Sequence, residues 1–105
     1  MKLIVAIVDD TDVDKVLTAL TGQHIGITRV SSTGDLITPG NSTLLIGVDE
    51  KDVPQVMKVI AELAPLRQYV MPYTYGNHPS FADFVEVEVG GFLSFVLDVD
   101  HFEQV

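Results

Sequence analysis

"KLIVAIVDDTDVDKVLTALTG", Lys2 to Gly22, decides how the rest of the chain is read. From Lys2 to Val8 nearly every position is apolar and many are β-branched, the pattern of a first strand buried on both faces. The acidic cluster that follows changes the periodicity. Asp10, Thr11 or Asp12 can cap a helix, and Val13, Val16, Leu17 and Leu20 recur at the i, i+3, i+4, i+7 spacing of one helical face that ends near Gly22. A buried strand feeding an amphipathic helix opens a unit in which further strands must lie beside the first.

The remaining elements can be placed outward from there. Ile25 to Thr33 reads as a β-branched strand, and Thr43 to Val48 as another. Asp49 to Asp52 supplies a cap, Pro54 suits a first helical turn, and Val53, Val56, Ile60 and Leu63 form one apolar face that Pro65 stops. Gln68 to Tyr73 is predicted as a strand and Tyr73 to Asp83 as a polar, aromatic loop. Val85, Val87 and Val89 alternate with Glu86 and Glu88 up to Gly90-Gly91, after which Phe92 to Val99 runs back, the signature of a hairpin. "DHFEQV", Asp100 to Val105, is read as a short turn of helix. The order predicts an α+β fold, a ferredoxin-like βαββαβ domain over residues 1–105 with an extra C-terminal β-hairpin. Right-handed crossovers put both helices on one face of the sheet. "LIVAIV" and "LLIGV" nevertheless ask for burial on both faces, so the uncovered side is expected to meet another copy of the chain in a homo-oligomer.

Composition narrows the partners. The 105 residues carry 15 acidic side chains against six basic ones, a formal charge of −9, and the six are scattered. Nucleic-acid polymers and anionic membranes need clustered Lys and Arg and are excluded as partners. A small anion is compatible, since backbone N–H groups of a Gly-rich turn can hold phosphate. There is no cysteine, hence no disulfide or thiolate chemistry, and the first apolar run is too short for a secretory or membrane-spanning segment, which points to a cytoplasmic location. "DDTDVD", Asp9 to Asp14, fails as a calcium loop because Lys15 and Thr21 stand where Gly and Glu are required; helix capping accounts for it better. His24, His78 and His101 share no ligand spacing, and no serine sits in a nucleophile context. No catalytic residue, metal site or cofactor is predicted.

Ser31 to Val48, "SSTGDLITPGNSTLLIGV", is the segment with chemistry. Its connection of about nine residues exceeds the two to five typical of a hairpin, Gly34 and Gly40 allow unusual backbone angles, and Pro39 stiffens the return. Thr28, Thr33, Asn41, Ser42 and Thr43 add groups able to read the edge of a heterocycle. The segment is either a plain turn between strands or a ligand loop.

"MKLIVAIV", Thr28, "STGDLITPGNSTLLIGV" and "VEVEVGGFLSFVLDVDHFEQV" together resemble the PII-like cyclic-di-AMP receptors (DarA/PstA), and the resemblance runs along the whole chain. It implies a cytoplasmic homotrimer of ferredoxin-like protomers that binds cyclic-di-AMP, or a related adenine nucleotide, in clefts between subunits. Signalling would then pass through the loops Gly34–Gly40 and Tyr73–Asp83 to a downstream protein. Carried over position by position, the implied nucleotide site consists of Thr28, the turn Gly34, Asp35, Leu36 and Ile37, then Asn41, Gly47, Phe95 and Gln104. Three positions depart from the family pattern. Gly26 stands where an Arg often meets a phosphate, Asp35 replaces a second turn glycine, and Leu36 replaces a stacking Phe. A lost charge-assisted hydrogen bond is worth about 1.5–3 kcal/mol. Arg29 does not replace the missing Arg, because strand alternation sends positions 26 and 29 to opposite faces. The competing readings are a trimeric interaction module without a nucleotide and a metal-responsive PII/CutA-like trimer using the histidines.

Overall fold

The computed structural model describes residues 1–31, 40–74 and 82–105. Its elements run β1 (Lys2–Asp9), α1 (Asp10–Gly22), β2 (Ile27–Ser31), β3 (Asn41–Val48), a 3-10 turn (Glu50–Asp52), α2 (Val53–Leu63), β4 (Leu66–Thr74), β5 (Ala82–Gly90) and β6 (Phe92–Asp98). Four strands form one antiparallel sheet in the order β2-β3-β1-β6, and β4 and β5 pair as a separate two-stranded unit. A four-stranded sheet of this order with two helices is compatible with a ferredoxin-like fold.

The core lies between the sheet and both helices. Ile4, Ala6 and Val8 of β1 and Leu44, Ile46 and Val48 of β3 meet Val13, Val16 and Leu20 of α1 and Val56, Val59 and Ile60 of α2. Alternation along β1 and β3 fixes which side is inner, since every second residue is buried and its neighbours are only half-covered. Both helices therefore lie on one face, as the crossover rule predicts.

α1 is capped by Asp9, one residue earlier than the expected candidates. The Asp9 carboxylate accepts from the Thr11 backbone N–H at 2.9 Å and the Thr11 hydroxyl at 2.8 Å. The strand and helix thus share a junction with no loop residue between them. At its other end α1 closes in a Schellman arrangement, the Ile25 N–H donating to the Leu20 carbonyl and the His24 N–H to that of Thr21. The left-handed residue this motif needs is His24, with φ 61°, whereas Gly22 is still helical.

The expected C-terminal hairpin is not formed. β5 pairs with β4, Leu66 facing Gly90, while β6 pairs with β1, Val5 facing Phe95. Gly90 and Gly91 do turn the chain, with φ 81° and 73°, but they pass it from the two-stranded unit to the open edge of β1. Alternation and a Gly-Gly signal specify a turn locally; which strand pairs with which is decided by the unfilled edge of β1, a non-local demand. Gly90 is tightly enclosed, and a Cβ there would lie 2.6 Å from the Pro65 carbonyl oxygen and 3.0 Å from the Arg67 guanidinium. The tail after Asp98 forms no helical turn. Thr74, Ala82 and Asp83, read as loop, belong to strands. β2 begins at Ile27 rather than Ile25, and β3 starts two residues before Thr43.

Two outcomes test these assignments. Asp9→Ala is expected to cost about 1 kcal/mol, the usual value of a helix cap. The hydrogen bonds from the Thr11 backbone and hydroxyl hold the Asp9 carboxyl below the ordinary aspartate range. The stability that it adds is therefore complete above the unfolded-state pKa and lost as pH falls through the lowered folded-state value; the difference between wild type and variant in denaturant melts should shrink over that acidic interval. Gly90→Ala is expected to cost more than the roughly 1–2 kcal/mol of a left-handed non-glycine residue, because the carbonyl contact adds to it; urea melts measure it.

Candidate nucleotide-binding site

Antiparallel register carries the alternation of β1 across the whole sheet, so the helix-free face can be written down residue by residue. On it lie Leu3, Val5 and Ile7 of β1, Asn41, Thr43, Leu45 and Gly47 of β3, Thr28 and Val30 of β2, and Leu93, Phe95 and Leu97 of β6. Leu93, Phe95 and Leu97 are each about half exposed, at 54%, 50% and 49%. On the opposite side of the same strand Ser94 meets Met57 of α2, its hydroxyl 3.8 Å from the thioether sulfur, while Val96 beyond it is exposed, at 45%. Val30 of β2 is exposed as well, at 42%, so apolar side chains lie uncovered at both edges of the sheet.

Four residues that the family resemblance implied, Thr28, Asn41, Gly47 and Phe95, share this face. They do not share a place on it. Thr28 pairs with Leu45, which pairs with Val5, which pairs with Phe95, in one row across all four strands. Three strand spacings put Thr28 and Phe95 about 14 Å apart. Asn41 and Gly47 sit at opposite ends of β3, six positions or about 20 Å from one another.

The cavities follow that division. A cleft of about 640 Å³ is lined by Met1, Leu3, Gly26, Ile27, Thr28, Leu45, Gly47, Val99, Phe102, Glu103 and Gln104. Thr28, Gly47 and Gln104 thus meet at one end of the sheet. Asn41 instead lines a second hollow of about 710 Å³ at the other end, with Ile7, Ala64, Pro65, Leu66, Gly90, Gly91, Phe92 and Leu93 among its neighbours. Gly47 has only the end of the Met1 side chain near its missing Cβ, at 3.9 Å, so its backbone is open to a flat ligand. Gly34, Asp35, Leu36 and Ile37 lie outside the described residues, as does His78.

Phe102 was not singled out by the sequence, where the tail read as a helical turn. It is 62% exposed in the cleft that also holds Gln104, an aromatic ring available for stacking. The sequence signal was an aromatic residue two positions before Gln104; its place in the cleft depends on the tail's not closing into a helical turn.

Arg29 is engaged elsewhere. Its guanidinium lies on the helix side, 3.7 Å from the Asp10 carboxylate and 3.5 Å from that of Asp14, and its Nε donates to the Ser42 hydroxyl at 3.2 Å. That agrees with the expectation that it does not stand in for a phosphate-binding Arg at position 26. Among the described residues no group of three His, Asp or Glu side chains could hold a metal ion, and no helix is long and apolar enough to cross a membrane.

The fold is thus an α+β sheet with one uncovered face and, at each end of it, a largely apolar cleft that holds a few polar groups. A family model described as "Cyclic-di-AMP receptor" matches residues 1–105, and the chain belongs to that family. It is also similar to the crystal structure of a functionally unknown protein from Pediococcus pentosaceus ATCC 25745, with 34% sequence identity, a TM-score of 0.75, and coverage of 99% of this chain and 96% of that one.

The uncovered face yields a direct test. Phe95→Lys, which places a charge in the middle of the exposed apolar row without touching the helix-side core, is expected to lower the oligomeric state in sedimentation equilibrium at micromolar concentration while leaving the circular dichroism spectrum unchanged.

Proposed function

We propose that this chain is a non-enzymatic signal receptor, a single cytoplasmic PII-like domain that forms a homotrimer and binds cyclic-di-AMP, or a related adenine nucleotide, between adjacent subunits. One observation carries the inter-subunit part: the implied ligand residues are divided between two ends of the sheet. An adenine ring is roughly a third as long as the distance that separates Asn41 from Gly47 on one strand, so one base cannot touch both within a protomer. Two copies arranged head to tail bring the Asn41 end of one to the Thr28, Gly47 and Gln104 end of the next. Such a contact joins two different patches and closes as a ring, the heterologous kind of interface. The exposed Leu93, Phe95 and Leu97 supply apolar area to hold it.

Within each composite site, Thr28 and Asn41 offer donor and acceptor atoms to the base edge, Gly47 allows the backbone close to its plane, and Gln104 adds an amide. Phe95 contributes an aromatic surface from the far edge. Gly34, Asp35, Leu36 and Ile37 would meet the phosphates through their backbone. A receptor with net charge −9 and a ligand bearing two phosphodiester charges repel one another at long range, so these contacts act against the field rather than with it.

Calorimetric titration of cyclic-di-AMP into the oligomer tests the reading. Binding is expected, not weakened between about 20 and 150 mM salt because screening relieves like-charge repulsion. Asn41→Ala and Gln104→Ala should each lose about tenfold or more in affinity. Co-refolding an equal mixture of the two variants should restore high-affinity binding in part of the sites, since some junctions then unite an intact Asn41 end with an intact Gln104 end. No restoration would refute the inter-subunit site; no binding by wild type would refute the cyclic-di-AMP reading itself.

A further inference from the structure

We infer that the first turn of α1 is a shared anchor coupling the start of β3, which carries Asn41, to the β4–β5 unit, with Arg29 and Ser42 as positioning residues on one side and Arg67 on the other. The inference rests on the proposed function only in taking Asn41 as a ligand contact.

The two grips are separate and both partly buried. On the β3 side, the Asp10 backbone N–H donates to the Gly40 carbonyl at 2.8 Å, and the Ser42 hydroxyl donates to the Asp10 carboxylate at 2.5 Å while accepting from Arg29 Nε. Ser42 is 2% exposed. On the other side, Arg67 at the start of β4 forms a two-pronged pair with Asp12, 3.1 Å to one carboxylate oxygen and 2.9 Å to the other. Asp12 is 1% exposed, so this carboxylate depends on its guanidinium partner. Gly90 at the end of β5 packs against that guanidinium, and the Gly91 N–H donates to the Pro65 carbonyl at 3.2 Å. The Arg67 fork therefore holds both strands of the two-stranded unit.

Asp10 and Asp12 are two positions apart in one helical turn, itself fastened to β1 by the Asp9 cap. A rotation of that turn cannot move one grip and leave the other. Satisfied, partly buried polar networks rigidify the elements they join, so the shared first turn is the element through which both grips act. A nucleotide that repositions the start of β3 is thereby linked to the β4–β5 unit, and the linkage acts equally in reverse.

Hydrogen exchange by mass spectrometry on the full chain tests this in two arms. In nucleotide-free protein, Ser42→Ala should raise exchange at Leu66–Gln68 and Glu88–Gly90 by about fivefold, the lower end of typical coupling, and Arg67→Lys should do the same at Asn41–Thr43, with the β1–β6 ladder unchanged as a control for global loosening. Arg29→Gln, at a half-exposed side chain, replaces Ser42→Ala should that variant not fold. Changes confined to the mutated side would overturn the coupling. In the second arm, cyclic-di-AMP should protect the β4–β5 unit of wild type, while Arg67→Lys keeps calorimetric affinity within about twofold and loses that protection; equal protection in both would also overturn it. Failure of wild type to bind is read from calorimetry and counts against the proposed function, while the nucleotide-free arm still decides the anchor.

Discussion

β1 has two apolar faces and only one layer of helices. Ile4, Ala6 and Val8 are taken up completely by α1 and α2, whereas Leu3, Val5 and Ile7 look outward and are only half-covered. At about 25 cal/mol per Å² of apolar surface, an outward row that continues through Leu45 to Phe95 and its β6 neighbours is a standing demand for a second layer. The demand orders much else in the molecule. It recruits β6 to the free edge of β1, where Leu93, Phe95 and Leu97 continue the outward row, and leaves the polar positions, Thr28, Asn41 and Gln104, at the margins of an apolar field.

The run Asp9 to Asp14 shows how one acidic cluster can be divided among unrelated tasks. Asp9 caps α1, Asp10 and Asp14 engage Arg29, and Asp12 is buried against Arg67. Two of the six basic residues in the chain are spent here. With another, Lys2, paired to Asp98 at the far end of β1, half of the basic residues are committed to ion pairs within the chain.

The sequence made the strands, the helices and their common face readable because each rests on a local period. Two residues per repeat sorted β1 and β3 into faces, and 3.6 did so for α1 and α2. The partner of β6 was not readable, since Gly90-Gly91 announces a turn without saying whether the strands on either side stay together. The cap moved by one residue because Asp9 and Asp10 are chemically equivalent in the sequence and only the strand's end distinguishes them. For the site, alternation put Thr28, Asn41, Gly47 and Phe95 on one face, but their separation depends on strand length multiplied by sheet order. Neither is a property of the motif. Residues that look like one constellation in the text of the chain occupy two ends and an edge of a sheet.

The pairing of β1 with β6 also sets the tempo of folding. Lys2 and Asp98, joined at the end of that ladder, are 96 positions apart, and contacts of such separation are formed against a large loop-closure entropy, which slows folding. During synthesis β1 emerges first and its second neighbour last among the strands. Throughout that interval an apolar strand presents an unpaired edge, the form most prone to join another chain. The same strand that organises the finished sheet is thus the one whose protection the growing polypeptide must await.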